Sequence, residues 1–115
     1  MDIRDTTIGI PVADLALSQL WYEAVFELDP PEDDPVEGIV AYNVVGIWLQ
    51  LSQETESVHG GTVIRFGITD AASEHARLED LGVDVSPLVQ VDPTVAFFDV
   101  ADPDGNLLSF YTVLT

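Results

Sequence analysis

The chain has 115 residues, 47% of them hydrophobic, which suits one domain with its own core. It has 21 acidic residues, three arginines and no lysine, which gives a net charge of −18. We therefore expect neither a nucleic acid nor a membrane as partner. The absence of cysteine excludes disulfide bonds, a thiolate nucleophile and a zinc–thiolate site. No stretch has the roughly 18 apolar residues of a membrane helix. The acidic start MDIRD is unlike a signal peptide, and we expect a soluble cytoplasmic protein.

The acidic excess indicates the conditions under which the protein works and says little about its chemistry. A shell of like charges destabilises a compact fold through self-repulsion, and concentrated salt screens that repulsion. Because the chain has no lysine at all, we predict a halophilic protein whose fold weakens as salt is withdrawn.

The first half of the chain predicts a strand, a helix and two further strands. Residues 6–12 (TTIGIPV) alternate with period two, and Asp14 is a candidate N-cap for the helix. Residues 29–38 (DPPEDDPVEG) predict a solvated loop, and two strands follow near IVAYNV and IWLQLS. The helix carries an apolar stripe that we expect to face a sheet, formed by Leu17, Leu20, Trp21, Ala24, Val25 and Leu28.

The second half repeats this order after a polar connector at residues 54–61. Residues 62–69 (TVIRFGIT) alternate again, Asp70 is the next N-cap, and strands are predicted in VDVSPLV, TVAFFDV and NLLSFYTV. The turn DPDG at residues 102–105 suits a type I conformation. We expect His59 in the solvated connector. The second helix should end before Gly82 and present one stripe, formed by Ala71, His75, Leu78 and Leu81.

The two halves therefore form an internal repeat. The capping residues Asp14 and Asp70 lie about 56 residues apart, as two copies of one supersecondary unit would. Six or more strands with two helices predict an α+β fold in which helices cover one sheet face. We predict a single domain over residues 1–115, built from two modules at about 1–57 and 62–115.

Three segments resemble the vicinal oxygen chelate superfamily, which includes glyoxalase I, extradiol dioxygenases, and fosfomycin- and bleomycin-resistance proteins. They are IPVADLALSQLWYEAVFEL, with its V-x-D-L opening and Trp21-Tyr22 pair; GITDAASEHARLEDLGVDV; and DPDGNLLSFY, which is similar to the closing D-P-D-G-N-x-x-E-x-Y motif. In this order they span nearly the whole chain. The resemblance implies two βαβββ modules whose cupped mixed sheets form a cavity, commonly in a homodimer.

The resemblance also locates four metal-ligand positions, which carry His, Glu or Gln in metal-dependent members. The matching residues here are Thr7, Gln50, Val63 and Ser109. A hard divalent ion needs carboxylate, imidazole or carbonyl oxygen ligands, and only Gln50 offers one. A register shift of one residue brings in no better ligand. We therefore expect no metal and no other cofactor.

Strand alternation predicts which residues share the face of those four positions. An aromatic and polar set of this kind suits a small organic ligand. Arg65 would anchor an anionic or carbonyl-rich ligand; the alternative is a structural ion pair with Asp99 or another acid of the cavity. Asp99 is itself a candidate general base. Trp48 would form a wall of the cavity or part of a dimer interface. The expected ligand-binding residues are Arg65, Trp48, Gln50, Ser109, Tyr111 and Phe97.

These observations favour a metal-free small-molecule-binding protein of the glyoxalase/bleomycin-resistance type. One alternative is a lyase, isomerase or dioxygenase of the same superfamily, with displaced metal ligands or metal-free chemistry at Asp99, Arg65 or Tyr111. A second alternative is a degenerate interaction subunit without a ligand.

Overall fold

A computed structural model describes residues 2–4, 6–31, 37–54 and 63–114 of the chain. The chain divides into two compact units, Met1–Val58 and His59–Thr115, each with one helix and one sheet in its described residues. The predicted α+β class is confirmed. His59 and most of the predicted connector lie outside the described residues. No described helix combines the length and the apolar character needed to cross a membrane.

The first unit follows the predicted order of strand, helix and two strands. The strand order in its sheet is β1-β3-β2, with β1 parallel and β2 antiparallel to β3. Asp14 caps the helix as predicted, since its Oδ1 accepts a hydrogen bond from the Leu17 amide at 3.1 Å. The elements are β1 (Thr7–Val12), α1 (Leu15–Phe26), β2 (Ile39–Val44) and β3 (Ile47–Gln53).

The predicted apolar stripe of α1 is correct for Val25 and wrong for Leu17 and Leu20. The buried residues of this helix are Ser18, Tyr22 and Val25, whereas Leu17 is 52% exposed and Leu20 is 69% exposed. The buried set also has helical spacing, so the helix is apolar on more than one face and periodicity alone does not select the face that packs on the sheet. The structure places the large ring of Tyr22 in the core.

Tyr42 on β2 joins the sheet to α1 of the same unit. Its hydroxyl donates to Glu23 Oε2 at 2.7 Å, and its ring is buried. Burial first, and then the hydrogen bond and charge of Glu23, raise the pKa of Tyr42 well above its ordinary value. The phenol therefore stays neutral and serves as a structural donor.

The second unit contains a sheet of order β4-β8-β7-β5, in which β6 also pairs with β7. β4 runs parallel to β8, and the other pairings are antiparallel. A short 3₁₀ turn, Asp92–Thr94, precedes β7. The elements are β4 (Ile64–Gly67), α2 (Ala71–Asp80), β5 (Asp84–Val85), β6 (Val89–Val91), β7 (Val95–Ala101) and β8 (Leu107–Val113).

The prediction of one continuous strand in VDVSPLV is wrong, because β5 and β6 are separate. Their registers against β7 differ by one residue, which is the signature of a bulge. Pro87 has no amide hydrogen to donate to the ladder. Ser86 compensates, since its amide donates to the Asp99 carbonyl and its hydroxyl accepts from the Asp99 amide, both at 2.8 Å.

The second helix packs on β7 much as predicted. Ala71 and Leu78 are buried and His75 is half-buried, with its Nε2 2.8 Å from the Ser86 carbonyl and its ring edge-on to Phe98. His75 thus lies at the edge of the core, as expected. Leu81 departs from the prediction, since it follows the last helical residue and is exposed.

The N-cap of α2 is formed by Asp70, as predicted. Its carboxylate accepts from the Ser73 amide and from the Ser73 hydroxyl. These hydrogen bonds, the one from the hydroxyl foremost, hold the pKa of Asp70 below its usual range.

The DPDG turn joins β7 to β8 as predicted. The Gly105 amide donates to the Asp102 carbonyl at 2.9 Å, and Gly105 has a positive φ of 83° that favours glycine. The Asp102 carboxylate lies beneath the turn, with only 5% of the residue exposed. The turn is therefore a structural closure that sets the start of β8.

The predicted alternation of strand faces is confirmed in both sheets. In the second sheet, Phe98, Val100, Leu108 and Phe110 are buried, and the contact of Phe98 with His75 shows that this face meets α2. The alternate residues of β4, β7 and β8 lie on the opposite face.

Candidate functional site

The candidate site lies on the face of the second sheet that points away from α2. Strand pairing arranges its residues in rows across β4, β8 and β7. One row contains Arg65, Ser109 and Asp99, and the next contains Gly67, Tyr111 and Phe97. Val95 and Val113 pair in a third row. Successive rows are about 7 Å apart, because two residues of a strand span that distance.

A cavity of about 390 Å³ opens on this face, lined by Arg65, Val95, Phe97 and Tyr111. Its size is at the lower end of the range for small-molecule sites, roughly 300–1,000 Å³. Three of the predicted ligand-binding residues therefore come together. Val95 was not predicted, although it precedes Phe97 by two residues and strand alternation places it on the same face.

Arg65 is held by a neighbour and has no counter-ion in the described part of the chain. Its NH1 donates to Ser109 Oγ at 3.1 Å. Arg4 and Arg77 pair with Asp2 at 2.8 Å and Glu74 at 2.7 Å, whereas Arg65 forms no ion pair with any described residue. The alternative Arg65–Asp99 ion pair is therefore not formed, and most N–H donors of Arg65 have no acceptor among the described residues.

Ser109 supports Arg65 from below. The residue is 0% exposed, and its hydroxyl oxygen accepts the guanidinium N–H across the parallel β4–β8 pair. A small side chain is needed at this position, since a larger one would fill the space beneath the guanidinium. The structure thus places Ser109 behind Arg65 and outside the lining of the cavity.

The ring of Tyr111 occupies space that Gly67 leaves open. A Cβ atom built on Gly67 would lie 3.1 Å from both Cζ and Oη of Tyr111, closer than nearly all real contacts of this kind. Tyr111 Oη makes no hydrogen bond to a described residue. Strand alternation predicted that Gly67 lies on this face. It did not predict that the Tyr111 ring packs over Gly67.

Asp99 lies in the row of Arg65 but does not line the cavity. Its Oδ1 is buried and has no hydrogen-bond partner among the described residues. A buried carboxylate oxygen without a donor costs stability, and such an atom in a native fold commonly has a functional or solvent-related reason.

Trp48 and Gln50 belong to the first unit. Trp48 pairs with Thr7 and with Asn43, and Gln50 pairs with Gly9, so the predicted shared face is again confirmed. Trp48 is 39% exposed and Gln50 is half-buried. Neither lines the cavity beside Arg65.

The residues of the second unit do not fit the metal that the resemblance implies. Val63 has no donor atom and precedes β4, and Ser109 Oγ is engaged by a guanidinium. A fixed positive charge at a ligand position repels a divalent cation. In the first unit, Thr7 and Gln50 supply only a hydroxyl and an amide. The described residues contain no cluster of three or more His, Asp or Glu suited to a metal ion.

Comparison with known proteins identifies the fold. No protein-family model and no curated protein sequence matches the chain.

Solved structures do match over most of its length. A glyoxalase/bleomycin resistance protein from Catenulispora acidiphila is 20% identical, with 95% of this chain and 97% of that one covered and a TM-score of 0.78. A lactoylglutathione lyase from Agrobacterium tumefaciens is 17% identical, with 97% and 95% covered and a TM-score of 0.76. The fosfomycin resistance protein FosX from Mesorhizobium loti is 20% identical, with 97% and 92% covered and a TM-score of 0.73. The chain therefore has the same fold as these glyoxalase/bleomycin-resistance proteins.

Proposed function

We propose that this protein binds a small organic molecule, without a metal ion, in the cavity of its second unit. The observation that carries the proposal is Arg65, a guanidinium without a counter-ion among the described residues, at a cavity with two aromatic walls. Apolar walls supply most of the binding free energy for small ligands, and a few polar groups set orientation. The solved structures with this fold include proteins described as bleomycin- and fosfomycin-resistance proteins, and a binding role is in keeping with them.

The cavity favours binding over the alternative of a degenerate interaction subunit. A subunit that has lost its ligand is expected to fill the face beside Arg65 with larger side chains, whereas a cavity of about 390 Å³ stays open there, next to the small residues Gly67 and Ser109. Their small size gives the Tyr111 ring and the guanidinium defined positions.

Two titrations test the proposal. Calorimetry with nickel, zinc, manganese and ferrous ions should show no tight uptake, and one metal ion bound tightly per subunit would refute the metal-free part. A panel of small organic molecules, neutral and charged, should shift the NMR ring signals of Phe97 and Tyr111. Arg65→Gln should lower the affinity for the molecules that bind. Arg77→Gln, which removes the same charge from α2, should leave that affinity unchanged. A panel without a hit would refute binding.

A metal-free enzyme is the second candidate, and Asp99 is the observation that favours it. Its unpartnered Oδ1 lies in the row of Arg65 and could accept a proton from a bound molecule. Lyase, isomerase and dioxygenase substrates of the superfamily would be assayed with the wild type and with Asp99→Asn. Turnover lost in Asp99→Asn and kept in Asp84→Asn, a change at an exposed position of β5, would support this candidate; no turnover by the wild type would exclude it.

The oligomeric state, the cellular location and the salt adaptation of the protein are also matters of proposal. We propose a homodimer in the cytoplasm of a halophilic organism, from the family resemblance and from the net charge of −18. Sedimentation equilibrium in concentrated salt tests the dimer, and a monomer at every concentration would contradict it.

A further inference from the structure

We infer that the cavity binds an aromatic monocarboxylate, whose carboxylate is recognised jointly by Arg65 and the hydroxyl of Tyr111. The inference rests on the proposed binding function and narrows it to one ligand class. It follows from how the donors, the apolar walls and the charge are distributed along the rows of the sheet.

The donors of the site lie at one end of the cavity. Arg65 and Gly67 are two residues apart on one face of β4, about 7 Å along the strand. The Tyr111 hydroxyl lies over Gly67, so the phenol O–H lies in the row next to that of Arg65 and Ser109. Neither the Tyr111 hydroxyl nor the remaining N–H groups of Arg65 have an acceptor among the described residues. Two oxygens of one carboxylate can accept from both, because the planar guanidinium matches carboxylate geometry.

The other end of the cavity is apolar. Phe97 pairs with Tyr111 in the middle row, and Val95 lies one row further from Arg65. A flat ring attached to the carboxylate would lie against the Phe97 ring and the Val95 methyl groups, since aromatic side chains favour stacked or edge-on partners. The cavity of about 390 Å³ suits a molecule of about one ring with a short chain.

The charge of the protein favours a single carboxylate over a more highly charged anion. With a net charge of −18, the protein repels anions, and concentrated salt screens this repulsion except at close range. One guanidinium offsets one carboxylate at close range, and Arg65 is the single cationic side chain among the described residues that line this cavity. A phosphate or a dicarboxylate would therefore retain an uncompensated charge.

The test compares three probes at the salt concentration that keeps the wild type folded. Calorimetry would measure binding of 3-phenylpropanoate, of its neutral amide 3-phenylpropanamide, and of pentanoate, which has the carboxylate without the ring. We expect the aromatic carboxylate to bind at least about ten-fold more tightly than the amide, the size of effect that a charged hydrogen bond produces. Pentanoate should bind more weakly than 3-phenylpropanoate.

Three variants assign the effect to residues. Arg65→Gln should remove the preference for carboxylate over amide, and Tyr111→Phe should reduce it several-fold while keeping the ring. Arg77→Gln should preserve the preference. Circular dichroism would establish that each variant is folded, and Tyr111→Phe keeps the test decisive if Arg65→Gln does not fold.

Several outcomes would overturn the inference. Equal binding of amide and carboxylate, or a preference unchanged in Tyr111→Phe, would remove the joint carboxylate site but leave the proposed binding function intact. The same holds if none of the three probes binds while other molecules of the NMR panel do. If the panel also gives no hit, the proposed function itself fails.

Discussion

The carboxylate of Asp102 closes the turn that sets the register of β8, the strand that carries Ser109 and Tyr111. Its Oδ1 accepts from the amides of Asp104 at 2.9 Å and Asn106 at 2.8 Å. Its Oδ2 accepts from Asn106 Nδ2 at 2.8 Å. Replacing Asp102 with alanine removes all three acceptor contacts from a buried position, so we predict a clear loss of stability in the second unit.

The expected loss of unfolding free energy is about 3 kcal/mol, below the roughly 4.5 kcal/mol that three hydrogen bonds to a charged acceptor would give at the lower end, because amides at a partly exposed turn can bind water instead. Asp102→Asn keeps Oδ1 as an acceptor for both amides and should lower the free energy of unfolding by roughly 1 kcal/mol. Removing one negative charge from a chain of −18 relieves repulsion. Charge alone would therefore stabilise both variants.

Urea unfolding in concentrated salt, followed by circular dichroism, measures the difference in unfolding free energy. Asp84→Asn removes the same charge at an exposed position of β5 and should stay within about 0.5 kcal/mol of the wild type. If Asp102→Ala also stays within that range, the carboxylate does not hold the turn. If Asp102→Asn loses as much stability as Asp102→Ala, the negative charge of Asp102 stabilises the turn and the position of its acceptor oxygen does not.

Three further predictions concern the site, the pH dependence and the salt dependence. Gly67→Ala should displace the Tyr111 ring and weaken ligand binding several-fold, whereas Gly9→Ala, where a Cβ meets only open space, should change neither ring signals nor affinity; equal effects would refute the role of Gly67. Because burial and Glu23 raise the pKa of Tyr42, its contribution to stability should be complete below about pH 10 and be lost as pH rises further. Alkaline unfolding of Tyr42→Phe should lack this component, and an identical pH profile would contradict the assignment. The melting temperature should rise between about 0.1 M and molar salt as the repulsion is screened, and a constant value would count against the halophilic assignment.

The residues that line the cavity were largely predictable because strand alternation is a local property. A period of two gave the alternation within each strand, and the ligand positions implied by the resemblance indicated which face of each strand to group, so Arg65, Phe97 and Tyr111 were placed on one face. Val95 was missed although the same rule includes it. The break between β5 and β6 was also readable in principle, since Pro87 cannot donate to a ladder.

The helix face was not predictable from periodicity. In α1 both the exposed residues Leu17 and Leu20 and the buried residues Tyr22 and Val25 are apolar at helical spacing. The sequence therefore offers two candidate faces, and only packing against β3 selects one of them.

The sequence by itself determined the period-two strands, the helix caps Asp14 and Asp70, the closing turn and the acidic surface, because each depends on neighbouring residues or on composition. Only the tertiary structure decided that β4 lies parallel to β8, which brings Arg65 against Ser109 across 44 residues of chain. It also decided that the Tyr111 ring lies over Gly67. Strand pairing is a long-range choice that alternation does not encode, and through it Arg65, one of three arginines in an acidic chain, is held by Ser109 at the cavity.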